Sequence, residues 1–262
     1  MNIEFFSLTD PGLVRDNNED SVAVDHEHGV AVLADGMGGY NAGEVASAMA
    51  TSFVKNELGQ WIGEGGNEAS GREIKRAMEI CVDNANRSIF NAANASSMYA
   101  GMGTTLVLGL FVGQRVLVGH VGDSRCYRYR QGQLLQITRD HSLLQEQLDA
   151  GLISPEQAMF ATHKNLVTRA LGVEDTVLLE VNEFRMDDGD VYLFCSDGLT
   201  DMVTDDQIAL ILEGTATLEE KGKTLVDTAN EAGGRDNISV ILASARAKAA
   251  RRGFLSRMLG QQ

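Results

Sequence analysis

The chain has 262 residues, of which 44% are hydrophobic, and its formal net charge is −15. This length is enough for one large hydrophobic core or two small ones. The acidic charge opposes nonspecific binding to nucleic acid, which requires clustered Lys and Arg. Only two prolines occur, and no Ser-, Gly- or Pro-rich stretch separates two halves of the chain, so we predict one domain over residues 1–245.

The first third of the chain combines three strand-like runs with two long helical patterns. Residues 4–8, 21–24 and 30–34 are the predicted strands. Apolar residues then recur at helical spacing through residues 42–61 and 72–94, which predicts two amphipathic helices. A turn-rich segment joins these two helices.

The rest of the chain begins with a β-rich block. Between residues 104 and 137, four strand-like runs are separated by short turns, which predicts antiparallel hairpins. Residues 141–165 then give two short amphipathic helices around Gly151 and Pro155. The later elements are predicted as strands at 177–184, 191–195 and 238–243 and as helices at 205–212 and 218–232. Hairpin-linked strands with paired helices indicate an α+β architecture of stacked antiparallel sheets covered by helices.

Three cysteines bear on the cellular compartment. Cys81, Cys126 and Cys195 are far apart in the sequence and lie in apolar segments, so we expect reduced core thiols rather than disulfides. The sequence starts without a signal-peptide pattern and contains no apolar run of transmembrane length. We therefore expect a soluble, cytoplasmic protein.

Five aspartates lie next to apolar runs, most of them with a glycine close by. They are Asp20, Asp35, Asp123, Asp197 and Asp236. Strands of a compact sheet can end at a common edge, so these side chains can meet although they are far apart in sequence. Packed carboxylates repel one another and need a cation, and ligands made of oxygen alone favour Mg²⁺ or Mn²⁺. The pattern predicts a polynuclear metal site; the alternative is five turn residues, because Asp-Gly is a common turn dipeptide.

Arg15 is the predicted partner of a phosphate substrate. A pair of divalent ions can acidify a shared water and hold the oxygens of a phosphoryl group during its displacement. Arg15 lies beside the acidic segment that contains Asp20, and a guanidinium can bind two phosphate oxygens at once. A surface ion pair of Arg15 with Asp16 or Glu19 is the alternative.

Eight motifs follow one another along the chain, from about Thr9 to Val240. They are RDNNED, DGMGG, GMGTT, VGDSR, RDHS, TRALG, CSDGLTDMV and GGRDNISV. In these motifs the chain resembles the metal-dependent PPM family, also called protein phosphatase 2C, and its bacterial members in particular. The resemblance implies a four-layer α-β-β-α sandwich, in which helices flank two antiparallel sheets and a dinuclear Mn²⁺ or Mg²⁺ centre lies at one end.

The resemblance also implies which residues hold the ions. Asp35 would bridge the two ions, and Glu19, Asp20 and the Gly36 carbonyl would support one side of the centre. The further implied ligands are Asp197 and Asp236 on the other side, and Asp123 with Asp197 for a third, weaker ion.

Other residues complete the implied site. Arg15 would bind phosphate, Asn237 would orient a ligand or its water, and His141 would make a structural hydrogen bond nearby. Eukaryotic relatives carry a histidine, proposed as general acid, where this chain has Met37. Methionine cannot donate a proton, so the acid must be a metal-bound water or another group, and the sequence does not say which. His120 lies in an apolar strand and is expected to be a core residue.

The implied reaction is the removal of phosphate from phosphoserine and phosphothreonine in proteins. A hydroxide bridging the two ions would attack phosphorus directly, without a phosphoenzyme, and would so reverse bacterial Ser/Thr kinase signalling. We expect phosphorylated proteins as substrates, no nucleic acid as a partner, and a monomer. Two alternatives stay open: a catalytically silent phosphatase fold that docks phosphoproteins, and another two-metal hydrolase such as a nuclease.

Two segments are assigned separately from this centre. Residues 142–165 correspond to the family's flap, which borders the active site and where substrate choice is expected to reside; a passive lid is the alternative. Residues 246–262 contain five Arg or Lys, no acidic residue, and four apolar residues on one helical face. This tail is either an unstructured basic extension or a helix that contacts a membrane surface or a partner.

Overall fold

The computed structural model of the chain describes residues 1–38, 42–158 and 166–247. The strands are β1 (Asn2–Asp10), β2 (Asp20–Asp25), β3 (Val30–Met37), β4 (Gly103–Thr104), β5 (Leu106–Val112), β6 (Arg115–Val121), β7 (Arg125–Arg130), β8 (Gln133–Gln136), β9 (Glu180–Arg185), β10 (Val191–Cys195) and β11 (Ile238–Arg246). The helices are α1 (Ala42–Gly63), α2 (Gly71–Ala95), α3 (Leu143–Asp149), α4 (Pro155–Ala158), α5 (Asp197–Thr200), α6 (Asp205–Glu213) and α7 (Leu218–Glu231).

The strands form two antiparallel sheets that stack face to face. In the first sheet the order is β1-β11-β10-β7-β8, and in the second it is β2-β3-β5-β6-β9, with the short β4 paired to the end of β3. Helices α1 and α2 cover the second sheet, whereas α5, α6 and α7 cover the first. The fold is therefore the α+β, four-layer α-β-β-α sandwich predicted from the sequence.

Three apolar layers join these four structural layers. Met78 of α2 and Leu108 of β5 are buried between the helices and the second sheet. Phe111 and Phe194 meet edge to face between the two sheets, with ring centroids 6.4 Å apart. Leu225 of α7 is buried against the first sheet. Each such side chain contributes roughly 1.5–3 kcal/mol when it leaves water, and together they fix where the strands end.

Helices α2, α6 and α7 begin at capping signals that the sequence carries. In a capping box, the hydroxyl before the helix accepts from the third helical amide, and the third side chain accepts from the cap amide. This reciprocal pair starts α2, α6 and α7. The pairs are Ser70–Glu73, Thr204–Gln207 and Thr217–Glu220.

The structure contains the predicted strands and helices, and their ends differ from the predicted ones by a few residues. The strand predicted at residues 177–184 begins only at Glu180, because β6 provides partners for it only as far as His120. The short helix α5, which begins at Asp197, was missed, since four residues are too few to show a helical period.

Two predictions concern parts of the chain that the structure covers incompletely. Residues 159–165 of the predicted flap and residues 248–262 of the predicted tail lie outside the described residues. The division into a domain over 1–245 and a tail therefore stays a prediction. No helix in the described part of the chain is both long enough and apolar enough to span a membrane.

Gly109 allows the two sheets to approach each other in the middle of β5. A Cβ added at Gly109 would clash with the buried ring of Phe194 on β10. We expect Gly109→Ala to lower the free energy of unfolding by about 1–3 kcal/mol in urea denaturation, the usual cost of overpacking a core. Gly214→Ala is the matched control, because a Cβ there makes only an ordinary contact and φ is −55°. An equal loss in both variants would contradict the packing argument.

Candidate metal centre

The five predicted aspartates lie at strand ends that the two sheets bring to one edge. Asp20 and Asp35 are direct partners across the β2–β3 pair. Asp123 follows the end of β6, Asp197 follows β10, and Asp236 precedes β11. The charge of Asp35 interacts with the charges of the other four. The structure therefore brings together, in one cluster, carboxylates that are more than 200 residues apart in sequence.

Two threonines fix the main chain at Asp35. The Asp35 amide donates to Thr105 Oγ1 (3.0 Å), and the Asp35 carbonyl accepts from the Thr105 amide and from Thr104 Oγ1 (both 2.8 Å). Thr105 Oγ1 also shares a 2.7 Å hydrogen bond with Ser124 Oγ. Because Ser124 directly follows Asp123, this hydrogen bond ties together the main chains that carry two of the carboxylates.

Asp20 has one satisfied and one unsatisfied carboxylate oxygen. Its Oδ2 accepts a 2.8 Å hydrogen bond from Ser196 Oγ, and the Ser239 amide donates to Ser196 Oγ at 3.0 Å. Its Oδ1 is buried and has no hydrogen-bond partner. A buried polar atom without a partner costs about 1–3 kcal/mol, and more if it is charged. This oxygen is therefore suited to bind a cation, and the oxygen-only donor set fits Mg²⁺ or Mn²⁺.

Asn237 connects the start of β11 to the loop that carries Glu19. Its Oδ1 accepts from the Glu19 amide at 2.8 Å, and its Nδ2 donates to the carbonyls of Pro11 (3.0 Å) and Asn17 (2.8 Å). The Glu19 carbonyl in turn accepts from the Gly36 amide at 3.1 Å. The Asn237 amide group is therefore engaged with backbone, and it orients the loop rather than a carboxylate directly.

Burial and mutual repulsion favour protonated aspartates in the protein without metal. Burial is the largest cause, and it raises the pKa of Asp20 to about 7 and the pKa of Asp123 to about 6. Burial, and then the charges of neighbouring aspartates, raise the pKa values of Asp35 and Asp197 well above the ordinary range. Burial also raises the pKa of Glu19. A divalent cation would offset the repulsion that these shifts express.

Arg15 forms an ion pair with Asp236 across the site. Its Nη2 lies 2.7 Å from Asp236 Oδ2, and this hydrogen bond raises the pKa of Arg15. The surface pair with Asp16 or Glu19 that the sequence also allowed is replaced by this long-range pair. The Arg15 side chain is 54% exposed, so the guanidinium lies at the rim of the cluster, within reach of solvent.

A cavity of about 130 Å³ opens beside Asp123 and Asp197. Asp201 and the first residues of α3 belong to its wall. Arg125 and Asp140 also line it, and they neutralise each other because the guanidinium donates from Nε and Nη2 to Asp140 Oδ2 at 2.9 and 2.7 Å. The described part of the predicted flap therefore borders the carboxylate cluster.

His141 fixes the main chain beside Asp123. Its Nδ1 accepts from the Gly122 amide at 3.2 Å, and the Gly122 carbonyl accepts from the His141 amide at 2.9 Å. The neutral ring therefore carries its proton on Nε2, which lies 3.5 Å from Glu180 Oε2. Burial is the largest cause that lowers the pKa of His141 to about 4. His141 is thus a neutral residue that holds the turn before Asp123.

A second cluster, formed by His120, His141 and Glu180, has its ligand atoms within 4.8 Å of one another, and it is the one group in the described ranges that does. The two histidine rings stack with centroids 4.6 Å apart, and His120 Nε2 donates to the Arg139 carbonyl at 2.7 Å. The two histidines are buried, and the Glu180 side chain is 43% exposed. His120 Nε2 is engaged by the Arg139 carbonyl, whereas His141 Nε2 has no hydrogen-bond partner within the described part of the chain.

Sequence reasoning missed the side chains that position the carboxylates. Thr105, Ser196 and Arg125 each contact a predicted site residue or line the cavity, but no role was given to them. The sequence indicated them only through their position inside or beside the eight motifs. Hydroxyl residues at strand ends are equally common in turns, so that signal alone did not distinguish them.

Metal binding and pH are coupled through the aspartates. The pKa of Asp20 is about 7 in the fold against 3.8 for a free side chain, so its ionisation increasingly destabilises the metal-free fold as the pH rises from about 4 to 7. Below this range protons compete with the cation. We expect Mn²⁺ to raise the melting temperature more at pH 7.5 than at pH 5 in thermal-shift measurements. Asp20→Asn should reduce this difference, and equal Mn²⁺ effects at both pH values would contradict the raised pKa.

Known proteins match this chain along most of its length. The family model described as protein phosphatase 2C matches residues 14–243. The serine/threonine phosphatase stp of Listeria innocua is 38% identical over 245 residues, which cover 92% of this chain and 95% of that protein. The solved serine/threonine phosphatase of S. agalactiae aligns with a TM-score of 0.85 and 35% identity, covering 93% of this chain and 100% of that one.

A solved structure that contains metal ions is about as similar to this chain as the S. agalactiae phosphatase is. The catalytic domain of the serine/threonine phosphatase PstP, in complex with two manganese ions, aligns with a TM-score of 0.82 and 35% identity, covering 94% of this chain and 99% of that one. Fold, motifs and relatives agree. The chain belongs to the protein phosphatase 2C family and is a protein serine/threonine phosphatase.

Proposed function

We propose that the strand-end carboxylates hold two divalent cations, Mn²⁺ or Mg²⁺, and that the chain uses them to hydrolyse phosphoserine and phosphothreonine in proteins. The observation that carries this proposal is the buried, unpartnered Asp20 Oδ1 inside a cluster of mutually repelling carboxylates. When bound, the two ions would acidify a shared water into the bridging hydroxide expected from the sequence and would neutralise the phosphate oxygens.

The ligands would come from four regions of the chain. The β2–β3 pair would supply one side of the centre, and the segments next to β10 and β11 would supply the other, with Asp123 contributed by the end of β6. All of these strands have an end at the same edge of the sandwich. A Cβ on Gly36 would clash with the carbonyl oxygens of Gly43 and Glu19, so glycine lets this backbone lie close to the start of α1. The proposed ligands are Glu19, Asp20, Asp35, the Gly36 carbonyl, Asp197 and Asp236, with Asp123 and Asp197 for a third, weaker ion.

Arg15 would bind the phosphate of the substrate. Its guanidinium already lies against a carboxylate of the cluster, 2.7 Å from Asp236, and more than half of its side chain is exposed. It can therefore turn to an incoming phosphate over a short distance and donate two parallel hydrogen bonds.

The serine or threonine oxygen that leaves must gain a proton. Met37 lies at the end of β3, where eukaryotic relatives carry a histidine, and a thioether has no proton to give. His141 is neutral, and its Nε2 proton faces Glu180, which turns it away from this role. The proposed donor is therefore a metal-bound water or another group at the centre, as the sequence left open.

The proposed substrates are phosphoproteins made by a Ser/Thr kinase, so the chain would reverse kinase signalling. We also propose that it acts as a monomer. The relatives support phosphorylated proteins as the substrate class, because they are named serine/threonine phosphatases. The cavity wall contributed by the start of α3 gives the predicted flap a position from which it can contact residues beside the phosphate.

Asp197→Asn and Asp236→Asn each test the proposed ligands. We expect at least about a 100-fold loss of Mn²⁺-dependent turnover of a phosphothreonine peptide, because losing an outer-shell partner of a metal already costs 10–100-fold. Asp206→Asn, an exposed position on α6, is the matched control and should retain activity. Near-normal turnover in Asp197→Asn would refute the assignment. Cleavage of the DNA chain, without phosphate release from phosphopeptides, would favour the nuclease alternative.

Arg15→Ala tests the phosphate-binding role. A hydrogen bond to a charged group contributes about 1.5–3 kcal/mol, so we expect KM for the phosphopeptide to rise by about 10- to 100-fold, with a smaller change in kcat. Arg15→Lys keeps the charge but not the two-pronged geometry, and it should fall between wild type and Arg15→Ala. A fall in kcat at unchanged KM would contradict a role in binding.

A further inference from the structure

A groove on the outer face of the helices runs between the second half of α1 and the first half of α2. Its volume is about 830 Å³. Leu58 and Trp61, one turn apart on α1, face Ala77 and Ile80, one turn apart on α2. Ile80 is 47% exposed. The floor is thus apolar and open to an incoming segment.

The rim of this groove is acidic. Four glutamates line it against one arginine, Arg76, and that guanidinium already lies 3.4 Å from Glu79. An apolar floor between acidic walls matches an amphipathic helix with basic flanks, the common occupant of helix-binding grooves. The lining glutamates are Glu57, Glu64, Glu68 and Glu73.

The chain itself carries a segment of this kind beyond the described residues. Residues 248–262 contain four basic residues and no acidic residue. Four apolar residues fall on one face if the segment is helical, since residues three and four apart are neighbours there. The basic residues are Lys248, Arg251, Arg252 and Arg257, and the apolar ones are Phe254, Leu255, Met258 and Leu259.

A series of contacts leads from the end of the described chain to the groove. The Ala247 amide donates to Asp188 Oδ1 at 2.7 Å, and the loop that holds Asp188 donates an amide to the Gln114 carbonyl at 2.9 Å. The next residue, Arg115, donates from Nη2 to the carbonyl of Ala69 at 3.0 Å. Ala69 belongs to the groove wall, so contacts are continuous from the end of β11 to the groove.

We propose that residues 254–262 dock in this groove of the same molecule as an amphipathic helical segment with its apolar face on Trp61 and Ile80, while residues 248–253 form an extended tether whose basic residues lie over the glutamates. Residues 248–253 can span up to about 20 Å before the first apolar side chain. A short tether gives an effective concentration on the order of 1 mM. If the free segment binds with a Kd of about 0.1 mM, the tethered segment would then occupy the groove in about ten molecules for each one in which it is empty.

The docked segment would lie away from the catalytic end. Helix α1 begins beside Gly36 and Glu19, since its Gly43 contacts both, and the groove uses its other end. Turnover of a short phosphopeptide is therefore expected to stay unchanged when the segment is displaced, which separates this proposal from the metal-centre assignments.

Trp61 is the single tryptophan of the chain, so its fluorescence reports whether the groove is occupied. In the full chain, we expect Phe254→Asp to shift Trp61 emission to the red and to raise its quenching by acrylamide at least twofold. Ser256→Asp adds the same charge away from the apolar face and is the matched control, so it should leave emission near wild type. Identical emission in wild type and Phe254→Asp overturns the proposal.

Groove variants and a free peptide complete the test. A peptide of residues 248–262 should quench or shift Trp61 saturably in the Phe254→Asp chain, more weakly at high salt. Ile80→Glu should abolish this binding, whereas Leu210→Glu, which adds the same charge at a 68% exposed position on α6, should not. A peptide Kd weaker than about 1 mM overturns docking, because the tether could not then fill the groove.

Two other outcomes would replace the intramolecular arrangement. If the wild-type emission shifts with protein concentration, the occupant is the tail of a second copy. If wild type has the emission of Phe254→Asp in buffer, and its tail binds vesicles containing anionic phospholipid, the tail is a membrane-surface helix. Either result overturns docking within one molecule.

Discussion

The mutual repulsion of buried carboxylates at one edge of the sandwich is the constraint on which the rest of the structure depends. The charge of Asp35 interacts with the charges of four other aspartates, and burial raises its pKa together with the pKa values of Asp20, Asp123 and Asp197. A fold with such an edge gains stability from bound cations, because it is destabilised when the carboxylates ionise alone. Activity and the stability of the fold therefore depend on the same interaction, so loss of the cation weakens both.

The sheets supply the precision that this constraint needs. The register of β2 against β3 places Asp20 opposite Asp35, and hydroxyl groups of Thr105 and Ser196 fix the backbone and side chain of these residues. Apolar packing on both faces of each sheet keeps the strand ends in place, since a core packed at crystal-like density resists small displacements. The geometry of the carboxylate cluster thus follows from apolar layers that contain none of its carboxylates.

Much of this arrangement could be predicted from the sequence. Strands and long helices follow from apolar periodicity, and the aspartates stood out because each adjoined an apolar run. What could not be predicted was the pairing of groups far apart in sequence. Periodicity gives no partner for Arg15, which pairs with Asp236, and no hint that Asn237 holds the Glu19 loop. The four-residue helix α5 was also beyond a period-based method, although a carboxylate at its start is favoured by the helix dipole.

The ion pair between Arg15 and Asp236 has a consequence for turnover. The guanidinium has an internal anionic partner at 2.7 Å. If Arg15 binds the substrate as proposed, an arriving phosphate would have to displace that partner and would bind less tightly than it would to a solitary arginine. After hydrolysis Asp236 would compete with inorganic phosphate for the same guanidinium, which would favour departure of the product.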